Sequence, residues 1–539
     1  MAGLATALGS GAMTNSIHEL GDAAAILAVG TNTTAAHPIV ALQVKKAVKN
    51  GAKLIVANPK EIELCKSADI FMQHKPGTDV PLIMGMAKVI IDEGLQDNAF
   101  IKDRCENFNA FKVSLSKFDL GRIEEITGVS KDKIVQAARV YATKSPASII
   151  YCMGITQHAH GTDNVWAISN LALITGNFGK PSSGVNPLRG QNNVQGACDM
   201  GCLPNVYPGY RNVTLPEARA DVEAAWGVAL NSKPGKTHTE IFDACHKGDI
   251  KSMYLIGENP VISEANASHA IEAMVKTDFL VVQDIFMTET AELADVVLPS
   301  TTFAEKNGTF TNTERRVQRV RKAIEPEDGI RPDWWITCEI AKRLNGKGFD
   351  YDSPEQIMNE INTMLPAYKG ITYARLKKGT LQWPCPSEDH PGTPFLHAEK
   401  FGSASGKGKL MPLEYKASAE QTDDAYPLIL TTDRSLFHFH GTMTRRVYGL
   451  NELDKEERLK INPLDATRFG IEDGQSVKVL SRRGNIEVKV LVTDICPVGT
   501  VSLTFHFSET LTNVLTCCEL DPVAKTPATK VCAVQIEPA

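Results

Sequence analysis

The sequence lacks several features that would assign it to common classes of protein. It has no run of about 18 apolar residues, so no membrane-spanning helix is predicted. Its first 16 residues contain neither basic residues nor a long apolar core, and so do not resemble a secretory signal. The net charge of −6 and the pI near 6.1 argue against a nucleic-acid partner. The one basic cluster, at 315–322, has acidic neighbours, which favours a solvated face or a local phosphate contact.

Metal-binding and nucleotide-binding motifs are also scarce. The twelve cysteines include no CxxC pair, and Cys198 and Cys202 have three residues between them. No metal ligand set or iron–sulfur site is therefore predicted within this chain, and the scattered thiols are typical of a reduced, cytoplasmic protein. The GxGxxG fingerprint and the Walker loop are absent. The stretch GSASGKGK at 402–409 has the wrong spacing and predicts a flexible loop.

The sequence does contain a repeated pattern of strand, glycine turn and helix. Apolar strands that end in a glycine and a polar turn lie within 24–32, 147–157 and 251–260, and further strands are predicted within 53–60 and 279–288. This order of strand, glycine turn, helix and strand is typical of parallel sheets, where ligands lie at the carboxyl ends of the strands. Gly-x-Asn occurs at 30–32 and 257–259. It suggests two related half-domains that each hold a nucleotide-like group, with ordinary strand-end turns as the alternative.

The last part of the chain has a different character. Residues 385–425 are rich in Pro, Gly, Ser and charge, and beyond them lie short β-branched strands, with SRRGN at 481–485 predicting a hairpin. The predicted fold is α/β, with parallel-sheet, dinucleotide-binding-like domains followed by a mostly-β, double-psi barrel-like domain. The predicted division is an α/β domain at 1–190, a second at 191–384, a linker at 385–425 and the barrel at 426–539.

Three motifs connect these observations to a known family. TETAELADVVLPSTTFAEKNGTF (288–310) and ATRFGIEDGQSVKVLSRRGNI (466–486) resemble signatures of the prokaryotic molybdopterin oxidoreductases, the dimethyl-sulfoxide-reductase superfamily. GVNPLRGQNNVQGACDMG (184–201) resembles, within that superfamily, the formate dehydrogenase catalytic subunit. The resemblance covers essentially the whole chain.

The resemblance implies a cofactor of two molybdopterin guanine dinucleotides that hold molybdenum or tungsten. Asp284 would bind a guanine or ribose, because a carboxylate suits the paired N–H donors of guanine. Gly154 and Gly190 would let backbone approach the pterin. The full set of cofactor-binding residues that the resemblance implies is Asn32, Asn58, Lys60, Gly77, Thr78, Asp79, Met153, Gly154, Gln157, Gly190, Gln191, Asp284, Thr288, Arg434, His438, His440, Asn513 and Lys530.

Two of these positions raise alternatives. Many relatives carry an Asp-Pro-Arg turn where this chain has Asn58-Pro59-Lys60. The Asn58 amide lacks the charge of an aspartate, and the Lys60 ammonium lacks the bidentate geometry of an arginine. His438 and His440 would place both rings on one face of a strand, which suits a metal site. No third ligand is near, so pyrophosphate or pterin contacts are the favoured interpretation.

Arg189 is the predicted catalytic residue. Formate is a small carboxylate without an apolar handle, so selective binding requires a planar, bidentate cation. Arg189 would orient the C–H bond of formate toward the metal centre. The alternative is a structural salt bridge.

The family's N-terminal four-cysteine motif for a [4Fe–4S] cluster and its metal-ligating cysteine or selenocysteine have no counterpart here. We expect an upstream catalytic segment, separated by a UGA codon, or a separate subunit, together with an electron-transfer iron–sulfur subunit. The chain alone is then expected to be nearly inactive. The competing functions are a superfamily member that acts on another oxyanion and a non-catalytic cofactor-binding subunit.

Overall fold

The computed structural model describes residues 1–439 and 441–539. The β-strands in these ranges are β1 (Ala25–Val29), β2 (Lys53–Ala57), β3 (Ile70–Met72), β4 (Cys105–Glu106), β5 (Ala147–Tyr151), β6 (Val185–Pro187), β7 (Val206–Tyr207), β8 (Arg211–Asn212), β9 (Ser252–Ile256), β10 (Phe279–Asp284), β11 (Val296–Pro299), β12 (Gly308–Thr311), β13 (Arg316–Val320), β14 (Leu381–Gln382), β15 (Gly408–Lys409), β16 (Leu428–Thr432), β17 (Arg458–Ile461), β18 (Ser476–Leu480), β19 (Asn485–Val492), β20 (Thr500–Leu503) and β21 (Cys532–Pro538).

The α-helices in the same ranges are α1 (Ala2–Leu8), α2 (Thr33–Ala36), α3 (Pro38–Lys49), α4 (Asp79–Asp92), α5 (Asn98–Arg104), α6 (Phe108–Leu115), α7 (Leu120–Thr127), α8 (Lys131–Thr143), α9 (Met153–Thr156), α10 (Gly161–Ile174), α11 (Val194–Asp199), α12 (Pro216–Trp226), α13 (His238–Lys247), α14 (Pro260–Ser263), α15 (Ala267–Val275), α16 (Asp333–Arg343), α17 (Pro354–Met364), α18 (Tyr373–Leu376), α19 (Tyr448–Leu453) and α20 (Pro463–Phe469). Short 3-10 turns are His18–Asp22, Glu63–Ser67, Ala291–Leu293, Phe303–Glu305, Pro366–Tyr368, Met443–Arg446 and Thr512–Val514. Within the described residues, no helix has the length and apolar character needed to cross a membrane.

The chain forms two compact units. Unit 1 comprises Met1–Leu188, Pro260–Ile271 and Phe395–Ala539, and unit 2 comprises Arg189–Asn259 and Glu272–Pro394. Unit 2 is thus inserted in the sequence of unit 1. The four-part division drawn from the sequence stays a prediction.

Unit 1 contains a five-stranded parallel sheet in the order β3-β2-β1-β5-β6. All five residues of β1 and of β5 are buried, which explains why these strands appear in the sequence as continuous apolar runs rather than as an alternation. Helices α4 and α10 pack in the same core, and twelve of the fourteen residues of α10 are buried. The strand order reverses between β1 and β5, which is where parallel sheets bind ligands.

The C-terminal part of unit 1 is a closed barrel with the strand order β16-β20-β17-β19-β18-β21. Val477, Val479, Val488 and Val490 point into its core, as the alternation of buried and exposed residues in β18 and β19 requires. The hairpin predicted at 481–485 joins these two strands. The predicted fold class, parallel α/β sheets followed by a mostly-β barrel, is confirmed.

Unit 2 contains a three-stranded parallel sheet, β11-β10-β9, that repeats the geometry of β3-β2-β1. The amide of Gly30 donates to the Ala57 carbonyl, and that of Gly257 donates to the Gln283 carbonyl. Both glycines are left-handed, with φ of 55° and 64°, as the tight turn after each strand requires.

An aspartate directly precedes the third strand of each half-domain, β3 and β11. Asp69 Oδ2 accepts from the Leu54 amide at 2.9 Å, and Asp295 Oδ2 accepts from the Leu280 amide at 2.7 Å. The Asp69 and Asp295 amides donate back to the carbonyls of the same two leucines. The two half-domains suggested by Gly-x-Asn therefore share strands, turns and a side-chain clamp.

Two expectations from the sequence need correction. Residues 402–409 form an ordered turn, in which the Phe401 amide donates to the Gly406 carbonyl, and they end in β15, which pairs with β4. Arg315 does not belong to a solvated basic face. It is fully buried, and its guanidinium donates to the Trp383, Thr393 and Pro394 carbonyls.

Candidate cofactor and substrate sites

The carboxyl ends of β1 and β5 meet through two glycines in unit 1. The Gly154 amide donates to the Gly30 carbonyl at 3.0 Å. A Cβ added to Gly154 would lie 2.6 Å from the Gly30 oxygen, and one added to Gly30 would lie 2.7 Å from the Gly154 carbonyl carbon. Neither position tolerates a side chain, so the two backbone segments pack directly against each other at the point where the strand order reverses.

Two buried hydroxyl groups follow β1 at this edge. Thr31 is 3% exposed and Thr33 is fully buried, and within the described residues neither side-chain oxygen has a hydrogen-bond partner. Asn32 lies between them, at the start of α2, and its Oδ1 accepts from the Thr34 hydroxyl. Buried hydroxyls without partners are uncommon in folded proteins, and these two are suited to hydrogen bonds with a bound polar group.

Cationic side chains gather at the end of β16 in the same unit. Lys60 forms a buried ion pair with Asp433, and its Nζ also donates to the Ser502 hydroxyl at 3.2 Å. Lys530 Nζ donates to the Thr432 carbonyl at 2.8 Å. Arg434 follows Asp433, and its Nε is buried without a partner among the described residues. Two of the predicted cofactor-binding residues, Lys60 and Lys530, thus meet around Thr432 and Asp433.

Burial shifts the ionisation of this cluster. Desolvation lowers the pKa of Lys530 to about 8, although Asp433 and the Cys152 thiol oppose the change. Burial also tends to raise the pKa of Asp433, but Lys60 and Lys460 outweigh it and hold that pKa below its usual range. The cluster keeps an excess of positive charge, which suits an anionic group such as a pyrophosphate.

The turn Gly77–Asp79 leads into α4. Gly77 has φ of 79°, and the Thr78 hydroxyl donates to the Lys75 carbonyl. Asp79 is buried, with His74 Nε2 at 3.0 Å from its Oδ1 and His158 Nε2 at 3.8 Å from its Oδ2. Burial alone would raise the pKa of Asp79, but the two histidines outweigh it and lower that pKa.

His158 connects this turn to Gly154. Its Nε2 lies 2.8 Å from the Gly154 carbonyl. Desolvation lowers the pKa of His158, although the Asp79 carboxylate opposes the change. Nε2 carries a proton and donates it to this carbonyl, because a carbonyl oxygen can only accept. The buried Asp79–His158 contact therefore fixes the backbone of the α9 turn, which contains Met153, Gly154 and, at its end, Gln157.

In unit 2 the equivalent of Asn58 is Asp284. Asn58 directly follows β2 and Asp284 is the last residue of β10, the second strand of each half-domain. Asn58 Oδ1 accepts from the Lys60 amide at 3.1 Å, and Asp284 Oδ1 accepts from the Phe286 amide at 3.4 Å. Thr288 is buried, and its hydroxyl oxygen accepts from the Ala291 amide. Both half-domains thus present an oxygen acceptor at the same strand end.

Arg189 opens unit 2, two residues after β6. Its side chain is half-buried; its amide donates to the Thr313 hydroxyl at 3.1 Å, and its Nη2 donates to Gln195 Oε1 at 3.3 Å. Gly190 and Gln191 follow in an exposed turn.

Asn513 and His438 each make hydrogen bonds within unit 1. Asn513 Nδ2 donates to the Ile262 carbonyl at 2.7 Å. His438 is fully buried, with Nδ1 at 3.2 Å from the Thr444 hydroxyl and Nε2 at 2.8 Å from the Asp454 carbonyl. The expectation of a His-x-His pair in a strand is wrong for His438, which lies in a loop after β16. His440 lies outside the described residues.

Several functional candidates were not predicted from the sequence. Thr31, Thr33 and Asp433 sit beside predicted positions, but only the fold shows which of them are buried or paired. Gln195 and Asp199 lie on the helix α11. Their spacing of four residues within RGQNNVQGACDMG predicts that they share one face of a helix.

These residues fit the cofactor that the resemblance implies. Two buried hydroxyls that lack partners among the described residues, two glycines in close backbone contact and a surplus of cations suit a phosphate-bearing, planar group. In the part of the chain that the structure describes, no group of three His, Cys, Asp or Glu side chains could hold a metal ion.

Comparison with known proteins gives the class of the chain. The family model Molybdopterin oxidoreductase matches residues 4–343, and Molydopterin dinucleotide binding domain matches residues 428–533. The chain belongs to the molybdopterin oxidoreductase family.

The individual relatives that the chain is similar to include formate dehydrogenase alpha subunits. The chain is 49% identical over 537 residues to the F420-dependent formate dehydrogenase subunit alpha of Methanocaldococcus jannaschii, covering 99% of this chain and 79% of that protein. It is 40% identical over 546 residues to formate dehydrogenase H of Escherichia coli, covering 100% of this chain and 76% of that protein.

A solved structure supports the fold. Acetylene hydratase from Pelobacter acetylenicus superposes with a TM-score of 0.82 at 21% identity, covering 100% of this chain and 80% of that one.

Proposed function

We propose that this chain is the cofactor-binding part of a formate dehydrogenase catalytic subunit, which oxidises formate to CO₂ and releases two electrons and a proton. Its alpha-subunit relatives carry formate dehydrogenase names at 40–49% identity over nearly the whole chain. When bound, a molybdenum or tungsten centre held by two molybdopterin guanine dinucleotides would supply the two-electron acceptor.

The repeat of the half-domains supports two dinucleotides. Asn58 in unit 1 and Asp284 in unit 2 present acceptors at equivalent strand ends, after glycine turns of the same geometry. We propose that each half-domain binds one guanosine portion. Lys60, Arg434 and Lys530 would hold phosphate oxygens, and Gly154 would lie against the pterin.

The observation that carries the formate assignment is the state of Arg189. It is half-buried and tied down through its own amide and Nη2 by two neutral groups, the Thr313 hydroxyl and the Gln195 amide. An arginine guanidinium is a planar, bidentate cation, which suits a small carboxylate ligand such as formate. Its role is to bind and orient formate, with the C–H bond aimed at the acceptor.

The test replaces Arg189 with lysine in the assembled holoenzyme. Arg189→Lys should lose most formate oxidation while its metal and pterin contents stay at the wild-type level, because a point charge cannot make two parallel hydrogen bonds. Arg331→Lys, the same change at an exposed arginine of unit 2, is the control. Unchanged formate kinetics in Arg189→Lys would refute the assignment, and turnover of another oxyanion in preference to formate would favour a different member of the family.

A further inference from the structure

A closed network of buried polar groups lies behind Arg189. Gln195 is fully buried on α11, and Asp199, one turn later on the same face, is 2% exposed. Gln195 Nε2 donates to Asp199 Oδ1 and to the Tyr210 hydroxyl oxygen, each at 2.8 Å. The Tyr210 hydroxyl donates to Asp199 Oδ1 at 2.7 Å, and the Tyr368 hydroxyl donates to Asp199 Oδ2 at 2.5 Å.

These contacts leave the Gln195 amide only one orientation. Both Nε2 hydrogens have acceptors within the network, so Oε1 faces the Arg189 guanidinium. A flipped amide would set Oε1 against the Asp199 carboxylate and an NH₂ group against the guanidinium. Both contacts would be repulsive, and the buried donors would lose their partners.

The backbone is arranged to keep this network in place. Tyr210 has a left-handed φ of 62° in the turn between β7 and β8, a conformation that costs free energy for a residue with a large side chain. The Gly209 amide donates to the Asp199 carbonyl at 2.8 Å, which ties this turn to the end of α11. In this left-handed conformation the Tyr210 hydroxyl contacts both Gln195 and Asp199.

We infer that Gln195 is a positioning residue for formate oxidation, held by Asp199 and Tyr210 so that its amide oxygen fixes the direction of the Arg189 guanidinium. The inference rests on the proposed role of Arg189. In this proposal Gln195 does not contact the substrate. It restricts the rotation of the Arg189 side chain, so that the guanidinium is already oriented when formate binds.

The test uses Gln195→Met, which keeps the length of the side chain and removes its hydrogen bonds. The matched control is Gln382→Met: Gln382 is also a buried glutamine of unit 2, accepts from Arg316 Nη2 at 2.8 Å and donates to the Glu314 carbonyl at 2.8 Å. In the assembled holoenzyme, Gln195→Met should lower kcat/KM for formate about tenfold, mainly through KM, whereas Gln382→Met should leave it unchanged.

Two further readouts separate positioning from a structural effect. Phenylglyoxal should modify Arg189 several-fold faster in Gln195→Met than in the wild type or in Gln382→Met, as followed by mass spectrometry of the Arg189 peptide. In the Arg189→Lys background, Gln195→Met should cause no further loss of kcat/KM, since the two residues act through one interaction.

If Gln195→Met does not fold, Tyr210→Phe gives the same test with the ring retained: a smaller fall in kcat/KM, about threefold, and faster modification of Arg189. The inference is overturned if either kcat/KM or the modification rate of these variants matches that of Gln382→Met. Wild-type kinetics in Arg189→Lys would instead refute the proposed function, and the modification rate would then still decide whether Gln195 holds Arg189.

Discussion

The ion pair between Lys60 and Asp433 offers the sharpest test of the structure. It joins the turn after β2 to the end of β16, and the two side chains are only 8% and 15% exposed. Two unit charges at about 4 Å interact by roughly 4 kcal/mol at an effective dielectric constant of about 20. Lys60→Met removes one partner and leaves a buried carboxylate, which typically costs about 3–5 kcal/mol. Lys460 also acts on Asp433, so we expect a loss near the lower end, about 3 kcal/mol.

The dependence of this contribution on pH has a definite sign. The pKa of Asp433 in the folded protein lies below its unfolded value of about 3.9. The pair therefore stabilises the fold at pH values above about 4, and the contribution is lost as pH falls through the lower folded value. The destabilisation by Lys60→Met should be fully present at pH 7.

Hydrogen–deuterium exchange of the β2 and β16 amides measures this loss locally and does not require two-state unfolding of the whole chain. Lys53→Met is the matched control, because the Lys53–Asp69 pair is 46% and 31% exposed and should contribute at most about 1 kcal/mol. Lys60→Met combined with Asp433→Leu should recover much of the loss. Equal exchange in Lys60→Met and Lys53→Met at pH 7 would refute the reasoning.

Three further outcomes are expected. Gly154→Ala should destabilise the chain by about 1–3 kcal/mol in urea unfolding, since its Cβ would overlap the Gly30 carbonyl, whereas Gly379→Ala, with open space around it, should be neutral. Thr33→Val should raise the melting temperature of the cofactor-free protein, because it removes a buried hydroxyl that has no partner among the described residues. It should also lower the pterin content of the purified holoenzyme. If melting temperature and pterin content change in the same direction, Thr33 does not bind a ligand. Stability should rise between about pH 8 and pH 10, because the folded pKa of Lys530 lies below its unfolded value, and Lys530→Met should flatten that rise.

The strands of the parallel sheets were predictable from their apolar runs, which in β1, β2 and β5 reflect burial on both faces, whereas β9 and β10 are partly exposed. β1, β2, β5, β9 and β10 all lie within apolar runs that end in glycine or a polar turn. The barrel strands could be predicted from their alternation, and the hairpin between β18 and β19 from its turn residues.

Most of the chemistry at the sites depends on contacts that no local pattern reveals. Lys60 and Asp433 are 373 residues apart, and Tyr368 and Asp199 are 169 apart. Comparison with the family motif showed that Lys60 stands where many relatives have an arginine. It could not show that Lys60 forms an ion pair with the buried Asp433. The spacing of Gln195 and Asp199 was local and visible, but its meaning required the hydroxyl of Tyr210.

The most specific sequence signature has a structural origin. Asp295 clamps the start of β11, and Glu305 forms a capping box with Thr302 in the turn that follows. A motif that identifies the family thus holds a half-domain together, whereas the loop with Arg189 carries the proposed substrate contact.

The insertion of unit 2 into the sequence of unit 1 has a consequence for synthesis. Residues of unit 2 end at Pro394, while β21, which closes the barrel between β16 and β18, reaches Pro538. Since domains fold as they leave the ribosome at about 5–20 residues per second, unit 2 can complete its contacts several seconds or more before unit 1. During that interval the parallel sheet of unit 1 lacks Asp433, Arg434 and Lys530. The cluster of Lys60, Asp433, Arg434 and Lys530 is therefore among the last features of the molecule to form.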